Sequence, residues 1–174
     1  MSVKKRSEKL KTINGFFEIQ LKINGEAKNL KVKSNEFLLD ALRRCGWRGA
    51  KKGCDTGDCG SCAVLMNGKA VLSCLTPAVK AHIADITTIE GMGTFEKPHP
   101  IQEAFVETGA VQCGFCIPGM ILSAKDLLDR NPEPDEDMIK HALDGNLCRC
   151  TGYVKQIEAV KLAAKRLKSD KVIR

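Results

Sequence analysis

Aromatic side chains are scarce in this 174-residue sequence, where they make up 5% of the residues with one Trp and one Tyr. The basic residues near the start, Lys4, Lys5 and Arg6, have no interleaved aromatics on which nucleobases could stack. Terminal charge of this kind is typical of a solvated tail or helix face. Despite the net charge of +7, we therefore expect no nucleic-acid binding.

Long apolar stretches are also missing. No run of about 18 apolar residues occurs, so we expect no membrane span. The basic start is not followed by the apolar region of a secretory signal, and no twin-arginine pair precedes an apolar stretch. These absences predict a cytoplasmic protein, in which the nine cysteines are metal ligands rather than disulfide partners.

Familiar arrangements of catalytic side chains are absent as well. The sequence has no Ser-His-Asp pattern and no paired carboxylates placed for acid–base work. The three histidines, His82, His99 and His141, are scattered, and we expect surface residues there rather than ligands. The chain is therefore predicted to have no active site of its own.

Four cysteines in the first half form the strongest motif. Three follow the spacing C-x4-C-x2-C, and the fourth comes after eleven intervening residues; they are Cys54, Cys59, Cys62 and Cys74, called here the first cysteine set. This is the plant-type ferredoxin spacing for a 2Fe–2S cluster. Gly53, Gly57 and Gly60 interrupt the loop, so we expect a tight backbone that brings N–H groups to the sulfurs. A zinc site is the alternative, but zinc does not require this spacing.

The residues around this motif predict a β-grasp ferredoxin domain. Apolar residues alternate in 17–23, Asn24-Gly25 is a hairpin signal, and a second strand follows to Val32. A helix capped by Asn35 and reaching Cys45 comes next, with Cys45 expected as a small buried apolar residue. Further strands at 63–66, 70–75 and 86–89 complete a mixed sheet, and Asn67-Gly68 predicts a second hairpin turn between the first two of them. We place this domain at 16–90, after a flexible leader at 1–15.

A different periodicity follows a linker at 91–100. Helical patterns occur at 101–108, from Pro118 to the residue before Asn131, from Asp135 to Gly145, and at 153–168. Four helices with short joints predict a small four-helix bundle in 101–174. The fold class is therefore α+β, with an N-terminal β-grasp ferredoxin domain and a C-terminal helical domain.

The helical half contains a second group of four cysteines. A C-x2-C pair and a C-x-C pair each precede a helix; they are Cys113, Cys116, Cys148 and Cys150, called here the second cysteine set. Helix N-termini favour thiolates and a negatively charged cluster. The spacing favours an iron–sulfur cluster but leaves a structural zinc ion open.

Three segments that contain these cysteines, 53–62, 112–120 and 145–153, resemble a known family. The chain is similar over 16–164 to the small iron–sulfur subunit of the molybdenum hydroxylases, the xanthine dehydrogenase, aldehyde oxidoreductase and carbon monoxide dehydrogenase type. The resemblance implies a 2Fe–2S cluster at each cysteine set. It also implies an electron-transfer subunit of a multi-subunit oxidoreductase, with no substrate site on this chain.

The resemblance further implies partners. A large subunit would hold molybdopterin, expected as its dinucleotide, and a medium subunit would hold FAD, in a dimer of heterotrimers. Electrons would pass from the molybdopterin site through the second cysteine set, then the first, to FAD. In relatives the residue matching Gln112 hydrogen-bonds the pterin, and the region matching Cys150 lies against it. The substrate stays open among purines, aldehydes, N-heterocycles, carbon monoxide and acyl-CoA compounds.

Two alternatives from other classes stand beside this interpretation. One is a structural protein that holds one or two zinc ions. The other is a free-standing ferredoxin that serves several partners.

Overall fold

The computed structural model describes residues 10–172, so the basic stretch at 4–6 lies outside the described residues. This part of the chain forms six strands: β1 (Lys11–Ile13), β2 (Phe16–Ile23), β3 (Glu26–Val32), β4 (Ala63–Met66), β5 (Lys69–Leu72) and β6 (Asp85–Thr87). It also forms five α-helices: α1 (Leu38–Arg44), α2 (Pro100–Glu107), α3 (Ile117–Arg130), α4 (Glu136–Leu143) and α5 (Val154–Val172). The predicted α+β class is confirmed.

The six strands make one mixed sheet. β2 pairs antiparallel with β1 and β3 and parallel with β6, while β4 pairs antiparallel with β5 and β6. The two predicted hairpin turns are confirmed. Asn24 and Asn67 have φ values of 52° and 54°, the left-handed conformation that a tight Asn-Gly hairpin turn requires.

The predicted flexible leader is wrong at its C-terminal end. Lys11–Ile13 is a strand whose residues pair with Phe16–Glu18 of β2, for example Thr12 opposite Phe17. Asn14 and Gly15, with φ values of 50° and 79°, form the turn between these strands. Asn14-Gly15 is thus a third Asn-Gly hairpin signal in the sequence, and the strand before it has only three residues.

The predicted cap of α1 is also wrong. The helix begins at Leu38 after Phe37, and no side chain caps it. Instead, the N–H groups of Leu38 and Leu39 donate to the backbone carbonyls of Thr76 and Ser73, at 2.7 and 3.1 Å. The segment around Cys74 therefore satisfies the helix start, which replaces an Asn35 cap and fixes that segment against α1.

An apolar core lies between the sheet and α1. It includes the inward residues of β2 and α1, such as Ile19 and Leu42, both fully buried. Two members of the first cysteine set, Cys62 and Cys74, are part of this core. Cys45 is partly buried just beyond α1 and packs against it, in line with its expected apolar role.

The four predicted helices of the second half are confirmed. Asp135 caps α4 by accepting the Met138 N–H at 2.8 Å, and Pro118 lies in the first turn of α3. α2 packs against α5, and α3 packs against α4 and β4. Leu65 of β4 therefore belongs to the core of the helices, which joins the two halves. None of the helices within residues 10–172 combines the length and apolar character needed to span a bilayer.

Candidate metal centres

The first cysteine loop, residues 51–62, needs glycine for two different reasons. At Gly60 the φ value is 69°, and an added Cβ would lie 2.1 Å from the carbonyl oxygen of Gly145. At Gly53 an added Cβ would lie 2.8 Å from the Cys59 sulfur. Backbone freedom was predicted for both, but Gly53 instead permits close approach to a thiol. A larger residue at either position would displace the loop.

The thiols of the first cysteine set meet in two pairs. The sulfurs of Cys62 and Cys74 lie 3.3 Å apart in the core. Cys54 and Cys59 are neighbours in the loop, and both are partly exposed. The hydroxyl of Ser61 lies 3.1 Å from the Cys59 sulfur. The structure thus brings together all four sequence-predicted residues of this set.

The two pairs of the first cysteine set lie in different environments. The partly exposed pair, Cys54 and Cys59, lies in a hydrogen-bonded loop, and the pair Cys62 and Cys74 is buried in the core. Hydrogen bonding from Thr56, and then from Cys59, lowers the pKa of the Cys54 thiol to about 6. Burial, with the neighbouring Cys62, raises the pKa of Cys74 to about 12. Cys54 is therefore poised as a thiolate, whereas Cys74 would lose its proton only to a strong competing cation.

The second cysteine set also meets in pairs. Cys116 directly precedes α3 and is buried beside Cys148. Cys113 and Cys150 contact each other at the surface. The second cysteine loop, residues 145–153, holds Cys148 in place, since its N–H donates to the Tyr153 hydroxyl oxygen at 2.8 Å.

Here too the two members of one pair differ in acidity. Burial, with the neighbouring Cys148, raises the pKa of Cys116 to about 12. Burial acts to raise the pKa of Cys148 as well, but the Thr151 hydroxyl and the N–H groups of Cys150 and Thr151 outweigh it and lower that pKa to about 7. The Thr151 hydroxyl lies 3.1 Å from the Cys148 sulfur.

The two cysteine loops touch each other. The Leu147 N–H donates to the Cys59 carbonyl at 2.9 Å. Beside it, the Asn146 amide donates to the Gly60 carbonyl at 3.0 Å, and its oxygen accepts from the Ser123 hydroxyl at 2.7 Å. One buried side chain therefore ties both loops to α3.

The pairwise arrangement fits a two-iron cluster. Zinc in a structural site requires four ligands about 2.3 Å or less from one ion. A 2Fe–2S cluster instead takes two thiolates at each iron, which matches two neighbouring pairs in each set.

Sequence reasoning missed three polar residues of these sites. Thr151 and Gln156 contact the Cys148 sulfur, whereas Asn146 contacts the distant Gly60 of the other cysteine loop. The one sequence signal that could have pointed to them was the prediction that helix N-termini lie beside the cysteines of the second set. The histidines are not gathered at either site, and two of them accept backbone N–H groups, His82 from Gln20 and His99 from Ile101.

Two family models match the chain, one over each half. Residues 21–85 match a 2Fe-2S iron-sulfur cluster binding domain, and residues 88–161 match a 2Fe-2S binding domain. The small FeS subunit of nicotinate dehydrogenase from Eubacterium barkeri is 48% identical over 149 residues, which cover 85% of this chain and 95% of the relative. This chain belongs to the small iron–sulfur subunits of the molybdenum hydroxylases.

Other members of the family are similar over most of the chain. The small subunit of nicotine 6-hydroxylase from Paenarthrobacter nicotinovorans is 44% identical over 144 residues, which cover 82% of this chain and 87% of the relative. The structure of quinoline 2-oxidoreductase from Pseudomonas putida 86 superposes with a TM-score of 0.85 at 40% identity, covering 90% of this chain and 98% of that one. Aldehyde oxidoreductase from Desulfovibrio gigas has the same TM-score at 42% identity, but the match spans 17% of that longer chain. The protein is an electron-transfer subunit of a molybdenum hydroxylase-type oxidoreductase.

Proposed function

We propose that the first and second cysteine sets each ligate one 2Fe–2S cluster and that electrons cross this chain from a molybdopterin subunit to an FAD subunit. The clusters would supply one-electron carriers. Cys54, Cys59, Cys62 and Cys74 would hold the cluster on the FAD side. Cys113, Cys116, Cys148 and Cys150 would hold the cluster on the molybdopterin side.

The pairing of the thiols is the observation that carries this proposal. Each set places two sulfurs beside two others, such as Cys62 and Cys74 at 3.3 Å. A loop-to-loop hydrogen bond, from the Leu147 N–H to the Cys59 carbonyl at 2.9 Å, supports a short route between the two sets. The chain's own contribution is to hold this spacing and to exclude water from the inner thiols.

The exposure of the second cysteine set supports a partner surface at this position. Cys113 and Cys150 are exposed, as is Gln112 next to them. A partner that covers this surface would bring its own redox group close to the second cysteine set. Gln112 would donate its amide to the pterin, and the segment around Cys150 would pack against it.

The partners follow from the same proposal. We place the molybdopterin, as its dinucleotide, on a large subunit, with the FAD on a medium one, in a dimer of heterotrimers within the cytoplasm. The substrate would bind to the large subunit rather than to this chain. Two relatives are small subunits of nicotinate dehydrogenase and of nicotine 6-hydroxylase, so nicotinate and other N-heterocycles are the first substrates to assay.

Purification of the tagged chain from the organism that encodes it tests this proposal. We expect it to copurify with two larger chains, with molybdenum and with FAD. A Gln112→Ala variant should fold normally and retain less of the large subunit, while Asn29→Ala, an exposed change on β3, should retain all of it. A chain that purifies alone with zinc would contradict the proposal, as would an iron-containing chain that elutes as a monomer without molybdenum and FAD.

A further inference from the structure

Gln156 is a fully buried amide on the side of α5 that faces the core. Its side chain has 0% exposure, and its neighbours on the helix, Ala159 and Val160, are also fully buried. Polar groups in such a place need hydrogen-bond partners. The Nε2 group of Gln156 donates to the Thr151 hydroxyl oxygen and lies 3.7 Å from the Cys148 sulfur. Both of its contacts are therefore directed at the second cysteine set.

The Gln156 contact also fixes the direction of the Thr151 hydroxyl. That oxygen accepts the Gln156 N–H, and the Tyr153 N–H points to it from 3.5 Å. Because these donors occupy the oxygen, the hydroxyl hydrogen is left to point at the Cys148 sulfur, which lies 3.1 Å away. Gln156 thus supplies one donor to the sulfur and orients a second one.

The oxygen of the Gln156 side-chain amide makes no comparable contact. Gln156 Oε1 is buried and has no hydrogen-bond partner among residues 10–172. An apolar side chain of the same size would avoid this penalty. The opposite amide orientation would aim the oxygen at the Cys148 sulfur, where a thiolate repels it. The buried amide therefore lowers the stability of the folded chain, and its hydrogen bonding is directed to the Cys148 sulfur and its neighbour Thr151.

We propose that Gln156 is a positioning residue that, with Thr151, raises the reduction potential of the cluster at the second cysteine set. Hydrogen bonds to a ligating sulfur stabilise the negative charge added on one-electron reduction. The Cys148 sulfur receives two such bonds, from the Gln156 amide and the Thr151 hydroxyl. This inference rests on the proposed function, because it takes Cys148 as a ligand.

A redox titration of the full chain, followed by EPR with dithionite as the reductant, tests the inference. Gln156→Leu removes the donor and the unpaired oxygen together. At a fixed solution potential near the midpoint, we expect the reduced-to-oxidised ratio of the second cluster to fall roughly tenfold, equivalent to about 59 mV for a one-electron couple. Thermal stability should stay equal or rise. Thr151→Val should shift the ratio in the same direction, and Thr151→Ser, which keeps the hydroxyl, should restore it.

Two controls separate this effect from loose packing. Val160→Ala opens space one turn further along α5 and should lower stability without moving the potential. The first cluster in the same chain should keep its potential in every variant. If Gln156→Leu does not fold, Gln156→Met carries the same test with a more adaptable side chain.

The outcomes keep the inference apart from the proposed function. Two EPR signals with an unmoved second potential in the Gln156 variants would overturn the inference and leave the function intact. Loss of the second signal in a folded Gln156→Met chain would overturn it too, since a residue that only adjusts the potential is not needed for assembly. Absence of any second 2Fe–2S signal in the unaltered chain would instead overturn the proposed function.

Discussion

The side-chain amide of Asn146 donates a hydrogen bond of 3.0 Å to the backbone carbonyl of Gly60, across 86 positions of sequence. Asn146 is 3% exposed, and its oxygen accepts from Ser123 at the same time. The contact joins the loop of one cysteine set to the loop of the other. It makes the distance between the two proposed clusters a property of the fold rather than of loop motion.

Replacing Asn146 by Ala should weaken this junction. The Gly60 carbonyl and the Ser123 hydroxyl would lose their partner, which we expect to cost about 2 kcal/mol of unfolding free energy. For a chain of this size the melting temperature should fall by about 6 °C. Calorimetry on the cluster-loaded chain measures this. Asn29→Ala serves as the control, and an equal melting temperature in both variants would refute the role of Asn146.

Gly60 and Gly68 offer a matched pair of glycines. Both have positive φ values, 69° and 79°, but an added Cβ meets the Gly145 carbonyl oxygen at 2.1 Å in the first case and nothing within 4 Å in the second. Gly68→Ala should therefore cost about 1 kcal/mol from backbone strain alone. Gly60→Ala should cost more and should alter the EPR spectra of both clusters. Equal losses in the two variants would show that the loops are not packed together.

Cys45 belongs to neither cysteine set and therefore provides the control for the proposed ligands. Cys150→Ser should remove the second 2Fe–2S signal and slow the reduction of FAD by substrate in the assembled enzyme. The reason is that the cluster proposed to receive electrons from the molybdopterin side loses one ligand. Cys45→Ser, which changes a thiol that packs against the core near α1, should keep both signals. Unchanged substrate-to-FAD kinetics in Cys150→Ser would contradict the proposed electron route.

Acidification should weaken α2 through His99. Burial, and then repulsion by Lys125, lower the pKa of this imidazole, while Asp129 and Glu103 act in the opposite sense. The neutral ring caps the helix by accepting the Ile101 N–H at 3.2 Å. Its stabilisation is thus present above the unfolded pKa of about 6.5 and is lost as the pH falls through the lower folded pKa.

The matching experiment compares melting temperatures between about pH 7.5 and 5.5, above the range in which carboxylates titrate. The unaltered chain should lose up to about 1 kcal/mol, the contribution of a helix cap. His99→Asn, whose oxygen accepts at every pH, should lose less. His141→Gln, a change at an exposed position, should behave like the unaltered chain. A His99→Asn chain with the full pH dependence would exclude His99 as its source.

Much of the fold could be predicted because the signals were local. Several of these signals affect only the residues next to them in sequence. They are the turns at Asn24-Gly25 and Asn67-Gly68, the helix cap at Asp135 and the Pro118 in the first turn of α3. The cysteine spacings likewise constrain the shape of the loops that hold them. Local chemistry of this kind is readable in a single sequence.

The rest depended on contacts between distant segments. The start of α1 uses carbonyls of Ser73 and Thr76, so no local cap was needed and Asn35 was wrongly chosen. Asn146 acts on Gly60 only after the two halves have packed together. Gln156 lies in the core, a place where an amide is disfavoured, so its position in a helical pattern gave no sign of its contact with Cys148.

Low-temperature EPR of the dithionite-reduced chain, combined with iron, sulfide and zinc analysis, tests the central claim most directly. Two cysteine sets that each hold a 2Fe–2S cluster predict two distinguishable signals and about four irons and four sulfides per chain. One signal with one zinc ion per chain would contradict the claim, because the second cysteine set would then be a structural site and no electron route would cross the helical domain.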